Sequence, residues 1–222
     1  MNTKTSKKIQ IAKNGADLYL KNTRFTMTSL AAASEIEVNE IYEYFPNRRS
    51  VLEFFYESVI IEYREITKKI DGYQNFSLAE KLSNLALTVI DLLGEHKQFT
   101  AKTYRRLIVC SSRTPEYNRG LKDELRSIYE NDARQSAVSS ALNSNLLYKT
   151  GVMNFHILIN LWLNDESEGD QKTMELVDKW TAFVEEIHYN CIIDRGFELA
   201  KFAFYNLPYP RCNTGTSKKE AK

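Results

Sequence analysis

Proline occurs four times in the 222 residues, at Pro46, Pro115, Pro208 and Pro210, and each falls at a candidate helix edge or in the tail. Glycine occurs only eight times. Long stretches without either residue favour helices. No segment of useful length alternates apolar and polar residues as a half-buried strand would. The expectation is an all-α chain. With 43% hydrophobic residues it can bury a sizeable core. Its length suits one large domain, or a small and a medium one.

Apolar spacing sets the expected elements. A helix is expected from Lys8 to about residue 20, with residues 1–7 frayed. Thr26 is a plausible N-cap for a short helix over 27–33. Ser34, Glu35 and Ile36 form a tight turn. A second short helix follows over 37–45, with Val38, Ile41, Tyr42 and Phe45 at spacings of three, four and seven. After the Pro46-Asn47 break, a long helix is expected over 48–69, with Val51, Leu52, Phe55, Val59, Tyr63 and Ile66 inward. Leu78, Leu82, Leu85, Val89 and Leu92 form the next stripe. Further helices are expected over 99–109, from Thr114-Pro115 to about 142 with a kink at Gly120, and over 150–163, 174–193 and 197–205. The segment 150–163 is apolar on nearly all sides, so burial on nearly all sides is expected. Residues 208–222 read as a disordered tail.

Composition narrows the function classes. No run of roughly 18 apolar residues suggests a membrane span, and the first residues lack the apolar stretch of a signal peptide. A cytoplasmic protein is expected. Cys110, Cys191 and Cys212 are odd in number and far apart, which suits reduced thiols. His188 and Cys191 share a helix face, but no third ligand lies nearby in sequence, so no metal is expected. The acidic loop 164–170 lacks the length and spacing of a calcium loop; its acids suit the N-terminus of the next helix. There is no phosphate-binding glycine loop, nucleophile elbow or His-Glu metal motif, so neither an enzyme nor a cofactor is expected. The chain has a formal net charge of +1, yet residues 1–50 hold eight Lys/Arg against five Asp/Glu. A basic end suits a polyanionic partner.

Three short helices, the last two separated by a three-residue turn, have the shape of a helix-turn-helix, whose final helix can read base edges in the major groove. The series Thr26-Met27-x-x-Leu30-Ala31, then Ile36, then Ile41-Tyr42-x-Tyr44-Phe45-Pro46-x-Arg48-x-x-Val51-Leu52, resembles the signature of the TetR family of transcription regulators. The resemblance covers residues 8–52. It implies a helix-turn-helix domain over 1–47, a larger helical ligand-binding and dimerisation domain over 48–207, and a homodimer on a double-stranded DNA operator. It also implies that Thr26 lies by a phosphate and that Arg48 stands where the family has a lysine. At a helix start, Arg48 adds its charge to free backbone N–H groups, a good phosphate grip. Arg49 lies beside it. Tyr42 and Tyr44 have hydroxyls able to reach phosphates. Asn39 can read adenine, and Glu40 can accept a hydrogen bond from cytosine N4. Glu37 is expected to cap its helix, and Glu43 to be neutralised by Arg48 and Arg49. The turn position where the family has glycine is Glu35.

In the larger domain the resemblance implies a site for a small hydrophobic or aromatic effector. Phe99, Tyr104, Tyr129, His156, Trp162, Trp180 and Phe183 are the candidate lining. The function expected is a ligand-responsive DNA-binding regulator, a repressor released by its effector. The alternative is a helical sensor or interaction protein of the same fold that has lost DNA binding, because Glu37, Glu40 and Glu43 place three carboxylates on the reading helix.

Overall fold

A computed structural model describes residues 2–132, 134 and 144–189. Among these residues the chain is all-α, with nine α-helices: α1 Thr3–Lys21, α2 Met27–Ala33, α3 Val38–Tyr44, α4 Arg48–Thr67, α5 Leu78–Gly94, α6 Lys97–Tyr104, α7 Glu116–Glu130, α8 Asn145–Leu163 and α9 Gln171–Tyr189. The first three helices form a small head. The rest build a larger helical body, into which α4 runs. The expected helix over 197–205, the tail, Cys191 and Cys212 lie outside the described residues.

Local signals explain most of the helix starts. Thr26 and Ser29 exchange side-chain-to-backbone bonds in a capping box at α2, Asn47 and Ser50 do so at α4, and Ser77 and Glu80 at α5. Ser144 caps α8, which therefore starts five residues before the expected position. Helix α1 also begins early, at Thr3, because Asn2 Oδ1 accepts from the Thr5 N–H at 2.8 Å. Lys7 then pairs with Glu40 and Lys4 Nζ lies 6.0 Å from the Tyr44 ring, so the expected frayed end is docked.

The turn between α2 and α3 is a helix C-terminal motif. The Ile36 N–H donates to Ala31 O at 3.1 Å and the Glu35 N–H to Ala32 O at 3.3 Å. Glu35 takes the left-handed conformation, φ 55°, that glycine usually supplies there. Leu30, Ala31, Ile41 and Phe45 then bury the interior of the head. Behind them α1 presses on α4 so closely that a Cβ on Gly15 would meet Val51 Cγ1 at 2.6 Å.

Helix α4 has 20 residues, a length of about 30 Å. It buries Val51, Leu52, Phe55, Val59 and Tyr63 as expected, while Ile66 is exposed, being near its end. Helix α6 runs into a wider turn, Arg105–Val109, in which the Cys110 N–H reaches back to Arg105 O at 2.8 Å. Helix α7 passes straight through Gly120. The expected kink is absent because the glycine serves packing: a Cβ there would sit 3.1 Å from Ile60 of α4. Helix α7 ends at Glu130, well before the expected 142.

Helix α9 lies along α5 and ties it down, its Glu185 accepting from the Ala79 N–H at 3.3 Å and from Ser77 Oγ at 3.2 Å. The acidic loop before α9 does cap that helix. Asp165 accepts from the Thr173 N–H and hydroxyl at 2.8 and 2.6 Å, and from Ser167, and these bonds hold its carboxyl well below the usual range. Helix α8 departs from expectation. It buries Tyr148, Val152, Phe155, Leu158, Ile159 and Trp162, but leaves Leu146, Met153, Ile157 and Leu161 exposed. Within one chain its burial is one-sided, because α7 and α9 cover only part of its circumference.

Candidate nucleic-acid interface and ligand region

The outer face of the head is made by α3 and the starts of α2 and α4. On α3 the exposed residues are Asn39, Tyr42 and Glu43, spaced as one helical face, with Tyr42 at 52% exposure. An exposed tyrosine beside an exposed amide gives a surface that can both stack and hydrogen-bond. Tyr44 is half-buried, with Lys4 Nζ 6.0 Å from its ring. Thr26 is exposed, and its hydroxyl accepts from the Ser29 N–H.

Arg48 is placed next to Thr26. Its Nη1 donates to the carbonyl of Phe25 at 3.4 Å, and its guanidinium lies 5.8 Å from the Phe25 ring. One bond and one ring hold the group while most of its five donors stay open. Arg49 is more exposed, with its Nε on Glu53 Oε1 at 2.6 Å.

The three carboxylates of this region have different fates. Glu40 is half-buried and pairs with Lys7, and that hydrogen bond raises the lysine pKa. The pair takes Glu40 out of the exposed row and draws it towards α1. Glu37 occupies the N-cap position without a side-chain capping bond, so its expected capping role is not realised. Arg49 turns to Glu53 rather than Glu43. The spacing of charges along α3 could not reveal this, since Lys7 is 33 residues from Glu40.

The seven candidate effector residues do not share one cavity. Phe99, Tyr104 and His156 meet in a buried aromatic cluster with Tyr56 and Tyr117, where the Tyr104 hydroxyl lies 2.7 Å from His156 Nδ1. Burial lowers the His156 pKa and raises that of Tyr104, so both are neutral and one can donate to the other. The buried Tyr117 hydroxyl nearby makes no well-formed hydrogen bond. Tyr129 and Trp180 line a different space, a cavity of about 230 Å³ between α7, α8 and α9 that Gly151, Asn154 and His188 also border. Trp162 is buried elsewhere, its indole N–H on Asp170 Oδ2 at 2.8 Å and Lys97 4.9 Å from its ring. Phe183 is 63% exposed and lines a groove of about 310 Å³ with Ile157, Leu161 and Trp180.

Arg24 and Arg106 escaped notice in the sequence. Both are exposed and border one cleft with Arg48 and Arg49. No local pattern marks them, since Arg106 is 58 residues beyond Arg48 along the chain. Among the described residues no helix is long and apolar enough to cross a membrane, and no three side chains gather as a metal site.

The family described as tetracyclin repressor-like, C-terminal domain, matches residues 81–203, more than half of the chain. No curated protein matches. A solved structure, the TetR transcriptional regulator from Nitrosomonas europaea, is similar in fold with a TM-score of 0.59 over 82% of this chain and 98% of that one, at 13% identity. Its fold has the small helical head and larger helical body seen here. The family match covers most of the body, from residue 81 on, and the motif in residues 26–52 spans the second and third helices of the head and the start of α4; the protein belongs to the TetR family of ligand-responsive, DNA-binding transcription regulators.

Proposed function

We propose that the chain is a homodimeric repressor that leaves its operator when a small hydrophobic or aromatic molecule binds the body. In this reading residues 1–47 are the DNA-reading unit and 48–207 the sensing and dimerisation unit. The observation that carries it is the outer face of the head. Asn39 and Tyr42 stand exposed on α3, flanked by Thr26 and by the adjacent Arg48. Asn39 is the base reader and Tyr42 the neighbouring contact, while Thr26, Tyr44, Arg48 and Arg49 grip phosphates. Glu40, neutralised by Lys7, reads a base only if that pair opens, and serves first to hold α3 on α1.

The effector site favoured by the geometry is the cavity bordered by Tyr129 and Trp180. At about 230 Å³ it is smaller than the usual 300–1,000 Å³ ligand pocket, which suits a small ring. His156 and Tyr104 form a separate neutral polar pair that is not part of this cavity's lining. The dimer is favoured by the exposed apolar face of α8 and α9, formed by Met153, Ile157, Leu161, Phe183 and Ile187. Facing copies would complete a four-helix interface and hold two heads at fixed separation.

The test is duplex binding by fluorescence anisotropy, on sequences enriched from a random pool at low salt. Wild type should prefer the enriched duplex over random DNA by at least 10³-fold, within the usual range of specific over non-specific binding. Arg48→Ala should weaken binding to both and flatten the salt dependence. Asn39→Ala should lose about 1–3 kcal/mol of discrimination at one position of each half-site. If no sequence is enriched and the wild type binds no duplex in low salt, the protein does not read DNA.

A further inference from the structure

The cleft between the head and the body gathers four guanidinium groups and no carboxylate. Arg24 comes from the head, Arg48 and Arg49 from the first turn of α4, and Arg106 from the wide turn after α6. Ser111 and Ser112 complete the wall, and the space measures about 640 Å³. Three of the four arginines are oriented but not consumed. Arg106 Nη2 donates to the Tyr19 hydroxyl at 3.3 Å and Arg48 Nη1 to a backbone carbonyl at 3.4 Å. Glu53, outside the wall, takes only the Nε of Arg49. Like charges around one concave space raise each other's energy and focus a positive potential into it, which an oxyanion relieves. Guanidinium forks beside serine hydroxyls are donors matched to phosphate oxygens.

We infer that this cleft is a phosphate-binding site, separate from the apolar effector region, with Arg106 joining Arg24 of the head and the arginines at the start of α4. A phosphate seated there bridges head and body through Arg106 and Arg24, and engages the Arg48 and Arg49 that the repressor reading assigns to DNA. The phosphate can belong to a small phosphorylated molecule or to the DNA backbone itself. The first source needs nothing from the DNA-reading proposal; the second rests on it.

The two sources are separated with Arg106→Gln and Arg24→Gln, each checked for native helicity and cooperative unfolding. In the arm without DNA, pyrophosphate is the probe, against sodium chloride of equal ionic strength. At roughly ten times its Kd it should raise the wild-type melting midpoint by about 3–6 °C, and both variants should lose the shift. In the arm with DNA, Arg106→Gln should reduce the slope of log affinity against log salt by about 1. A shift with pyrophosphate supports a small phosphorylated ligand. A reduced salt slope without that shift supports the DNA backbone as the source. If pyrophosphate gives no more than chloride and the salt slope is unchanged in Arg106→Gln, the inference is overturned. Should one variant fail to fold, the other carries both arms.

Discussion

Glu35 occupies a position that chemistry would give to glycine. Its φ of 55° puts Cβ near a carbonyl oxygen, a conformation that costs about 1–2 kcal/mol in an L-residue. Glycine removes that strain but adds conformational freedom to the unfolded chain. Glu35→Gly should therefore stabilise the head by up to about 1 kcal/mol in urea unfolding, and an unchanged or lower midpoint would contradict the strain. Two other glycines show how unlike such positions are. A methyl at Gly15 meets Val51 Cγ1 at 2.6 Å, on a stiff side chain locked between helices, whereas at Gly94 it meets Trp162 at an ordinary 3.6 Å. Gly15→Ala should destabilise by about 1–3 kcal/mol through overpacking. Gly94→Ala should be neutral or stabilising by up to about 1 kcal/mol from reduced chain entropy. Equal effects in the two variants would show that packing at Gly15 yields freely. Neither environment is visible in the sequence, where Gly15 lies within helical spacing and Gly94 reads as punctuation between two helices. The partner atoms lie 36 residues away in one case and 68 in the other.

The helices illustrate how far local chemistry reaches. Thr26 caps α2 as its sequence position indicates, because a cap acts on N–H groups within three residues, whereas α7 starts after Pro115 with no side-chain cap, so Thr114 marks the place without capping it. In the sequence Asn47 reads only as part of a break, yet it completes a capping box with Ser50 at the start of α4. That helix carries Arg48 and Arg49, so its first turn must be firm for their groups to be placed. Asn47→Ala should cost about 1 kcal/mol of stability in denaturant unfolding, while Asn47→Asp, which keeps the acceptor, should cost far less. A matching loss in both variants would mean that the cap is not what sustains the turn. Helix ends were less legible where the stop signal is weak. Gly120 resembled a breaker, but its missing side chain instead lets α7 approach Ile60.

Among the described residues, α8 and α9 share a row of exposed apolar side chains. Trp162, on the opposite side of α8, is 1% exposed, whereas Ile157 and Phe183 are 52% and 63% exposed. If the exposed face joins two copies, Ile157→Glu with Phe183→Glu should leave the fold intact, produce monomers in light scattering and reduce operator affinity. A folded dimer surviving both charges would place the interface elsewhere. Trp162→Ala should instead lower stability by about 3–5 kcal/mol. The linear order of residues was enough for the helical class, the three-helix head and most helix starts, because periodicity and capping act between residues a few positions apart. It also carried the family, through a motif confined to one short segment. How Glu40 pairs with Lys7, how four arginines meet in one cleft, and how the aromatic residues part into separate clusters were settled by helix crossing. Crossing geometry depends on the simultaneous packing of side chains tens of residues apart, and no local pattern encodes it.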